Sequence, residues 1–261
     1  MDVSLLQTGF LVFVVFMAGF VDSIAGGGGL ISLPAYFAAG LPAHAALATN
    51  KFSSFMGTLA ATYRYYRAGR MKLKLGLSAA AGALAGSAAG SRVALLLDGK
   101  TINTLVLTLI PAVLVFFIIK DRIFRSPDKG IEHKKNKYTS RQETAISTVI
   151  GTAVGFYDGL FGPGTGAFLT LGFNFFLRMD LVSASGNACL ANLASNFGAL
   201  AVFAFSGNIL FPLALFTAAG GIAGNMLGSR LALKKGERII KPFMVIVLLI
   251  LLAEVIRQRI S

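Results

Sequence analysis

The strongest constraint on this chain is a stretch it contains twice. Gly19-Phe20-Val21-Asp22-Ser23-Ile24-Ala25-Gly26-Gly27-Gly28-Gly29 is echoed by Gly155-Phe156-Tyr157-Asp158-Gly159-Leu160-Phe161-Gly162-Pro163-Gly164-Thr165, and Gly19, Asp22, Gly26 and Gly28 each recur at a spacing of 136. Both copies set an acidic residue and a glycine loop inside hydrophobic sequence. Consecutive glycines cost roughly 1 kcal/mol each relative to alanine in a helix interior, so Gly26 to Gly29 predicts a break. Unwound backbone at membrane depth is tolerated only where it is buried in protein or lines a watery cavity. A duplicated break therefore predicts two interrupted helices meeting near the middle of a membrane fold, as many transporters build a binding site.

Composition agrees. With 55% hydrophobic and 13% charged residues, the chain reads as an all-α polytopic membrane protein. Apolar runs cover roughly residues 3–21, 30–40, 44–63, 75–97, 102–119, 142–160, 166–177, 182–205, 209–229 and 242–256. The second and seventh runs are too short to span alone, since a spanning helix needs about 20 residues. The net charge of +13 sits in short loops, where orientation in the bilayer explains it and no nucleic-acid partner is implied. No Lys or Arg precedes the first run, which therefore lacks the basic region of a secretory signal and is expected to remain in the mature protein. The single cysteine, Cys189, excludes an intrachain disulfide and reads as a small buried hydrophobe.

The duplication continues past the glycine loops. Gly82, Gly86 and Gly90, followed by Ser91-Arg92, match Gly220, Gly224 and Gly228, followed by Ser229-Arg230, at a spacing of 138, and Gly69 matches Gly207. Basic residues then orient the halves. Arg64, Arg67, Arg70, Lys72 and Lys74 surround the connection before the fourth run, whereas its counterpart, Phe205 to Ile209, is uncharged. After the fourth run the pattern reverses: Asp98-Gly99-Lys100 is nearly neutral, but Arg230, Lys234, Lys235, Arg238 and Lys241 cluster at the equivalent place. If basic loops stay in the cytoplasm, equivalent loops lie on opposite sides and the halves are inverted. The expected fold is an inverted repeat of two five-segment halves with broken or re-entrant helices. Residues 1–120 form the first repeat, 121–141 a basic cytoplasmic linker and 142–261 the second repeat. Both termini then face outward, with Arg257 and Arg259 as a mild violation. A parallel duplication with an even number of crossings is the alternative.

Several residues could carry chemistry. The helices that begin after the loops, near Leu30 and Ala167, offer free N–H groups to an anion. That draws Gly27, Gly28, Gly164 and Thr165, with Ser23 beside them, into a candidate substrate site. Asp22 and Asp158 sit where a carboxylate costs about 2.5 to 3.5 kcal/mol unless partnered or protonated. They either couple and gate through protons or cap the N–H groups of their own loops. Lys51 is the only lysine well inside an apolar run, beside Thr49 and Asn50, and either meets an anionic substrate directly or pairs with Asp22 or Asp158. In the counterpart region Asn187, Asn192 and Asn196, with Ser185 and Ser195, can donate to oxyanion oxygens or join helices structurally. The glycine triplets spaced by four read as packing faces. His44 and His133 lack metal-ligand partners at useful spacing, no cofactor or nucleotide motif is present, and no nucleophile, base and orienting acid occur together, so hydrolytic chemistry is unsupported.

At these residues the chain resembles a known family. The Gly19 to Gly29 stretch, Pro34, Ala46-Leu47-Ala48-Thr49-Asn50-Lys51, and in the second half Ser195-Asn196, Gly198-Ala199 and Gly207 resemble the TauE/SafE family of membrane permeases, also called the sulfite exporter family. The resemblance covers essentially the whole chain. It implies a cell-membrane protein, in a bacterium the inner membrane, carrying sulfur-containing anions such as sulfite, sulfoacetate or related organosulfonates, generally outward. A homodimer is left open. Pro163 in the second loop and Ala188 opposite Lys51 make the halves differ, so an asymmetric site is expected.

Overall fold

The computed structural model describes residues 4–102, 104, 138–236 and 238–240. The fifth apolar run of each half and nearly all of the linker lie outside the described residues. Each half begins with the same helix start. Ser4 and Thr139 are N-caps in capping boxes with Gln7 and Gln142, each pair satisfying two backbone N–H groups reciprocally. From these caps run α1 (Leu5–Ala25) and α5 (Ser140–Leu160). Both stop at the glycine loops, where Gly26 (φ +70°) and Gly162 (φ +95°) adopt backbone angles that a side chain disfavours.

Beyond the loops lie the short helices α2 (Gly29–Ala38) and α6 (Thr165–Phe176). At 1.5 Å per residue they are about 15–18 Å long, roughly half a bilayer core. The long α3 (Ala43–Arg67) and α7 (Leu181–Phe205) follow, then α4 (Leu73–Leu96) and α8 (Phe211–Lys235). The starts of α2 and α6 are 136 residues apart, whereas α3 and α7 correspond at 138 at both ends. The two-residue drift is therefore the extra length of α6, 12 residues against 10 in α2. Under that register the residue in the place of Lys51 is Cys189, not Ala188, which corrects the expectation from sequence.

The helices pack in a reciprocal pattern. α4 lies along α5 and α8 along α1, α4 also meets α7 as α8 meets α3, and α3 and α7 touch each other. Glycine faces make the closest approaches. A methyl group added at Gly82 would lie 2.5 Å from Thr148 O on α5, and one at Gly220 would lie 2.5 Å from Val12 O on α1. The opposing helix answers in kind, because a methyl at Gly155 would sit 2.5 Å from Ala83 O. The triplets are thus packing faces, as small residues at membrane helix interfaces are expected to be.

The distribution of polarity is that of a membrane protein. Leu5, Phe13, Phe205, Leu215 and Phe216 are more than half exposed, whereas Thr49, Lys51, Asp158, Asn187, Ser195 and Asn196 are buried. α1, α4, α7 and α8 are long and apolar enough to cross a membrane.

Candidate functional site

The two glycine loops meet. A methyl at Gly166 would come within 2.7 Å of Gly26 Cα, the backbone of Gly166 and Ala167 fills the space where a Gly26 side chain would go, and Gly29 faces Gly162 and Pro163. Only glycine permits this approach at Gly26, which has both a positive φ and no room. The ends of α1 and α5 and the starts of α2 and α6 therefore converge on one point, flanked by α3 and α7.

The two aspartates at this point are in unlike surroundings. Asp158, 2% exposed, forms an ion pair with Lys51 Nζ at 2.7 Å and accepts from Thr165 Oγ1 at 2.7 Å and Ser195 Oγ at 2.5 Å. Lys51, equally buried, also donates to Asn196 Oδ1 at 3.3 Å. The expected pairing of Lys51 with an aspartate is thus present, with Asp158 as the partner. Asp22 instead accepts from the backbone N–H of Gly27 (3.1 Å) and Gly28 (3.0 Å), both at Oδ1, and so caps its own loop.

The repeat explains the contrast. Lys51 and Ser195 press on Asp158 from two sides; at the 138-residue spacing their counterparts are Cys189 and Gly57, smaller and uncharged. Two small cavities border Asp22. The first, about 10 Å³, is lined by Asp22, Ser23, Gly26, Gly166, Ser185 and Asn192, among others. The second, about 20 Å³, is lined by Asp22, Gly28, Ser32, Asn50, Ser53 and Asn225, among others. Each holds about one water-sized body, so neither admits an oxyanion in this conformation.

The remaining expected site residues divide between this centre and the periphery. Ser23 Oγ donates to Phe20 O, and the Ser23 carbonyl accepts from Tyr65 OH at 3.0 Å. Asn50 Oδ1 accepts from Ser32 Oγ at 2.7 Å. Gly164 adopts a left-handed conformation and precedes α6, and Thr165 binds Asp158 directly. Asn192 borders the first cavity and Asn196 holds Lys51. Thr49 and Asn187, which are counterparts in the repeat, line neither cavity. Thr49 Oγ1 accepts from Leu210 N ahead of α8, while Asn187 donates to Ser183 O and faces Gly76 of α4. Sequence reasoning missed Ser32 and Asn225. Asn225 carried a readable signal, being a lone amide amid Gly220, Gly221, Gly224 and Gly228 of α8.

Among the described residues no group of three or more His, Cys, Asp or Glu is placed to hold a metal ion. The arrangement gathers an ion pair and buried hydroxyls and amides around one point. Fold and site together define a polytopic helical membrane protein whose paired broken helices enclose a polar centre. Residues 11–255 match the family model described as "Sulfite exporter TauE/SafE", and the chain belongs to that family. It is 36% identical over 246 residues, 94% of this chain and 91% of the relative, to a "Probable membrane transporter protein ORF9" of Sinorhizobium. The "Probable membrane transporter protein YfcA" of Escherichia coli K12 is 33% identical, covering 97% of this chain and 91% of its own length. A "Probable membrane transporter protein" of Haemophilus influenzae is 31% identical across 99% of this chain and 98% of its own. No solved structure matches the chain.

Proposed function

We propose that the protein is a permease that moves a small sulfur-containing oxyanion, of the sulfite, sulfoacetate or organosulfonate class, out of the cytoplasm across the cell membrane by alternating access. The family supports a transporter, and the observation that carries the reading is the direct contact of the two glycine loops, Gly26 against Gly166, amid buried polar groups. In this reading the halves form an inverted repeat, with the linker in the cytoplasm and both termini outside. The reciprocal packing of α4 on α5 and α8 on α1 supports it, as does the mirror-image placement of the basic loops. Rocking one half against the other would part the loops and open the centre to either side in turn. The substrate would then lie between the N–H groups at the starts of α2 and α6, with Asn192, Asn196 and Lys51 beside it.

Energetics favour export. One negative charge leaving a cell with a negative interior gains about 2.3 kcal/mol per 100 mV, so no nucleotide is required. A second reading, a cation- or proton-coupled importer of the same anions, draws on Asp22, a carboxylate that borders two cavities and, among the described residues, forms no ion pair. Purified protein in sealed vesicles separates the two. A uniporting exporter moves sulfite or a short sulfonate in response to voltage and ignores an imposed pH or cation gradient; an importer follows those gradients. Absence of flux for every sulfur anion tried would remove both and leave a non-transporting membrane subunit.

A further inference from the structure

We infer that the larger of the two cavities beside Asp22 is a binding site for a small monovalent cation, with sodium its best fit. The inference deepens the second, coupled-import reading by naming its ion, and it rests on that reading only for the ion's purpose.

Charge is the first argument. Asp158 has the Lys51 ammonium at 2.7 Å, but Asp22 has in the equivalent position the neutral thiol of Cys189. Among the described residues every hydrogen bond to Asp22 lands on Oδ1, from Gly27 and Gly28, so Oδ2 is left to the cavities. A carboxylate deep in a membrane protein calls for a counter-charge.

The lining supplies the second, independent argument. Asn225, 3% exposed, donates its amide nitrogen to Gly221 O at 3.0 Å, and among the described residues its buried Oδ1 has no donor. That commitment of the nitrogen fixes which way the amide points, so the orphan is an acceptor. A buried acceptor without a partner calls for a donor or a cation and disfavours an anion. Ser53 gives its hydroxyl proton to Thr49 O or Asn50 O and lies 3.3 Å from Tyr36 OH, and Ser32 gives its own to Gly28 O or Asn50 Oδ1, so each oxygen keeps at least one lone pair free. Gly19 and Gly57 make room for the amide itself: a methyl at either would lie 2.6 or 2.5 Å from Asn225 Nδ2.

Size and charge select the ion. A cavity of about 20 Å³ admits a dehydrated monovalent ion and no oxyanion. A single carboxylate among neutral oxygens suits one positive charge, whereas calcium sites gather several carboxylates and magnesium retains a shell of waters. Coordination of sodium by oxygens beside a helix break is an established use of this geometry.

The test reads binding without transport. Purified protein is titrated with sodium chloride against choline chloride at constant ionic strength and fixed pH while its melting temperature is followed. A saturating rise with sodium, of roughly 5–10 °C at a hundredfold excess over Kd, is expected. Potassium should act more weakly and choline not at all. Asp22→Asn, which keeps an acceptor for Gly27 and Gly28, should abolish the response, and Asn225→Ala should weaken apparent affinity at least tenfold. Identical melting in sodium and choline overturns the proposal on the wild-type protein alone, even if neither variant folds. So does an unaltered sodium response in both variants, or a response to pH with none to sodium, which would assign the cavity to a proton and water. Sodium binding in a protein that moves no anion would leave this site standing and sink the transport reading instead.

Discussion

Replacing Lys51 by methionine removes the cation paired with Asp158 and leaves a carboxylate that is 2% exposed among helices α3, α5 and α7. Breaking one side of a buried ion pair costs about 3–5 kcal/mol. Ser195 and Thr165 still donate to both carboxylate oxygens, so the lower end of that range is expected. At roughly 2–4 °C per kcal/mol for a chain of this size, melting should fall by about 6–12 °C. Lys51→Met combined with Asp158→Asn removes both charges while an amide still meets Ser195 and Thr165, and should recover most of the loss. Cys189, the only cysteine, is buried, so a thiol-reactive fluorophore reports unfolding directly despite the absence of tryptophan. Wild-type melting in Lys51→Met, or a double variant as unstable as the sum of the singles, would refute the buried pair and with it the contrast between Asp158 and Asp22.

Gly26→Ala combines an unfavourable φ with collision against Gly166, so it should abolish expression of folded protein, whereas Gly40→Ala, whose φ is also positive but whose surroundings are open, should cost only about 1 kcal/mol, read by the same melting assay. Asp22→Ala forfeits the loop cap and should destabilise by about 0.5–2 kcal/mol, while Asp22→Asn should melt close to wild type in choline. Gly86→Leu or Gly224→Leu should separate α4 from α5 or α8 from α1 and yield aggregated protein on size exclusion, because the space is occupied by opposing backbone. The Asp98 carboxyl lies below the usual range because Thr101 donates to it from its backbone N–H and then its hydroxyl. Its stabilising contribution should be complete above about pH 4 and fade as pH falls through the lower folded value, a trend that Asp98→Asn should remove from the acid limb of the melting profile.

Much of the architecture was readable because apolar runs and glycine breaks are local. The runs at 30–40 and 166–177 became α2 and α6 within about two residues. The runs ending at 63 and 229 stopped short of helix ends at Arg67 and Lys235, since hydropathy falls when basic residues enter a last turn that their charge favours. The choice of Asp158 over Asp22 as the partner of Lys51 was not readable, because it depends on how α3 is set against α7 and α8 and not on any spacing along the chain. Asn225 was hidden for the same reason: its importance comes from the Gly19 and Gly57 backbone on two other helices. The matching capping boxes at Ser4 and Thr139 were visible in principle but lie outside the apolar runs that guided the reading.

Accessibility of the centre from both faces of the membrane tests the account most directly. In a Cys189→Ser background, Ser185→Cys and Ser54→Cys place single thiols at the two cavities beside Asp22. A membrane-impermeant thiol reagent applied to right-side-out and inside-out vesicles should label both positions from either side, and the transported anion should change the rates. Labelling of each position from one side only, unaffected by any sulfur anion, would contradict a centre that opens alternately.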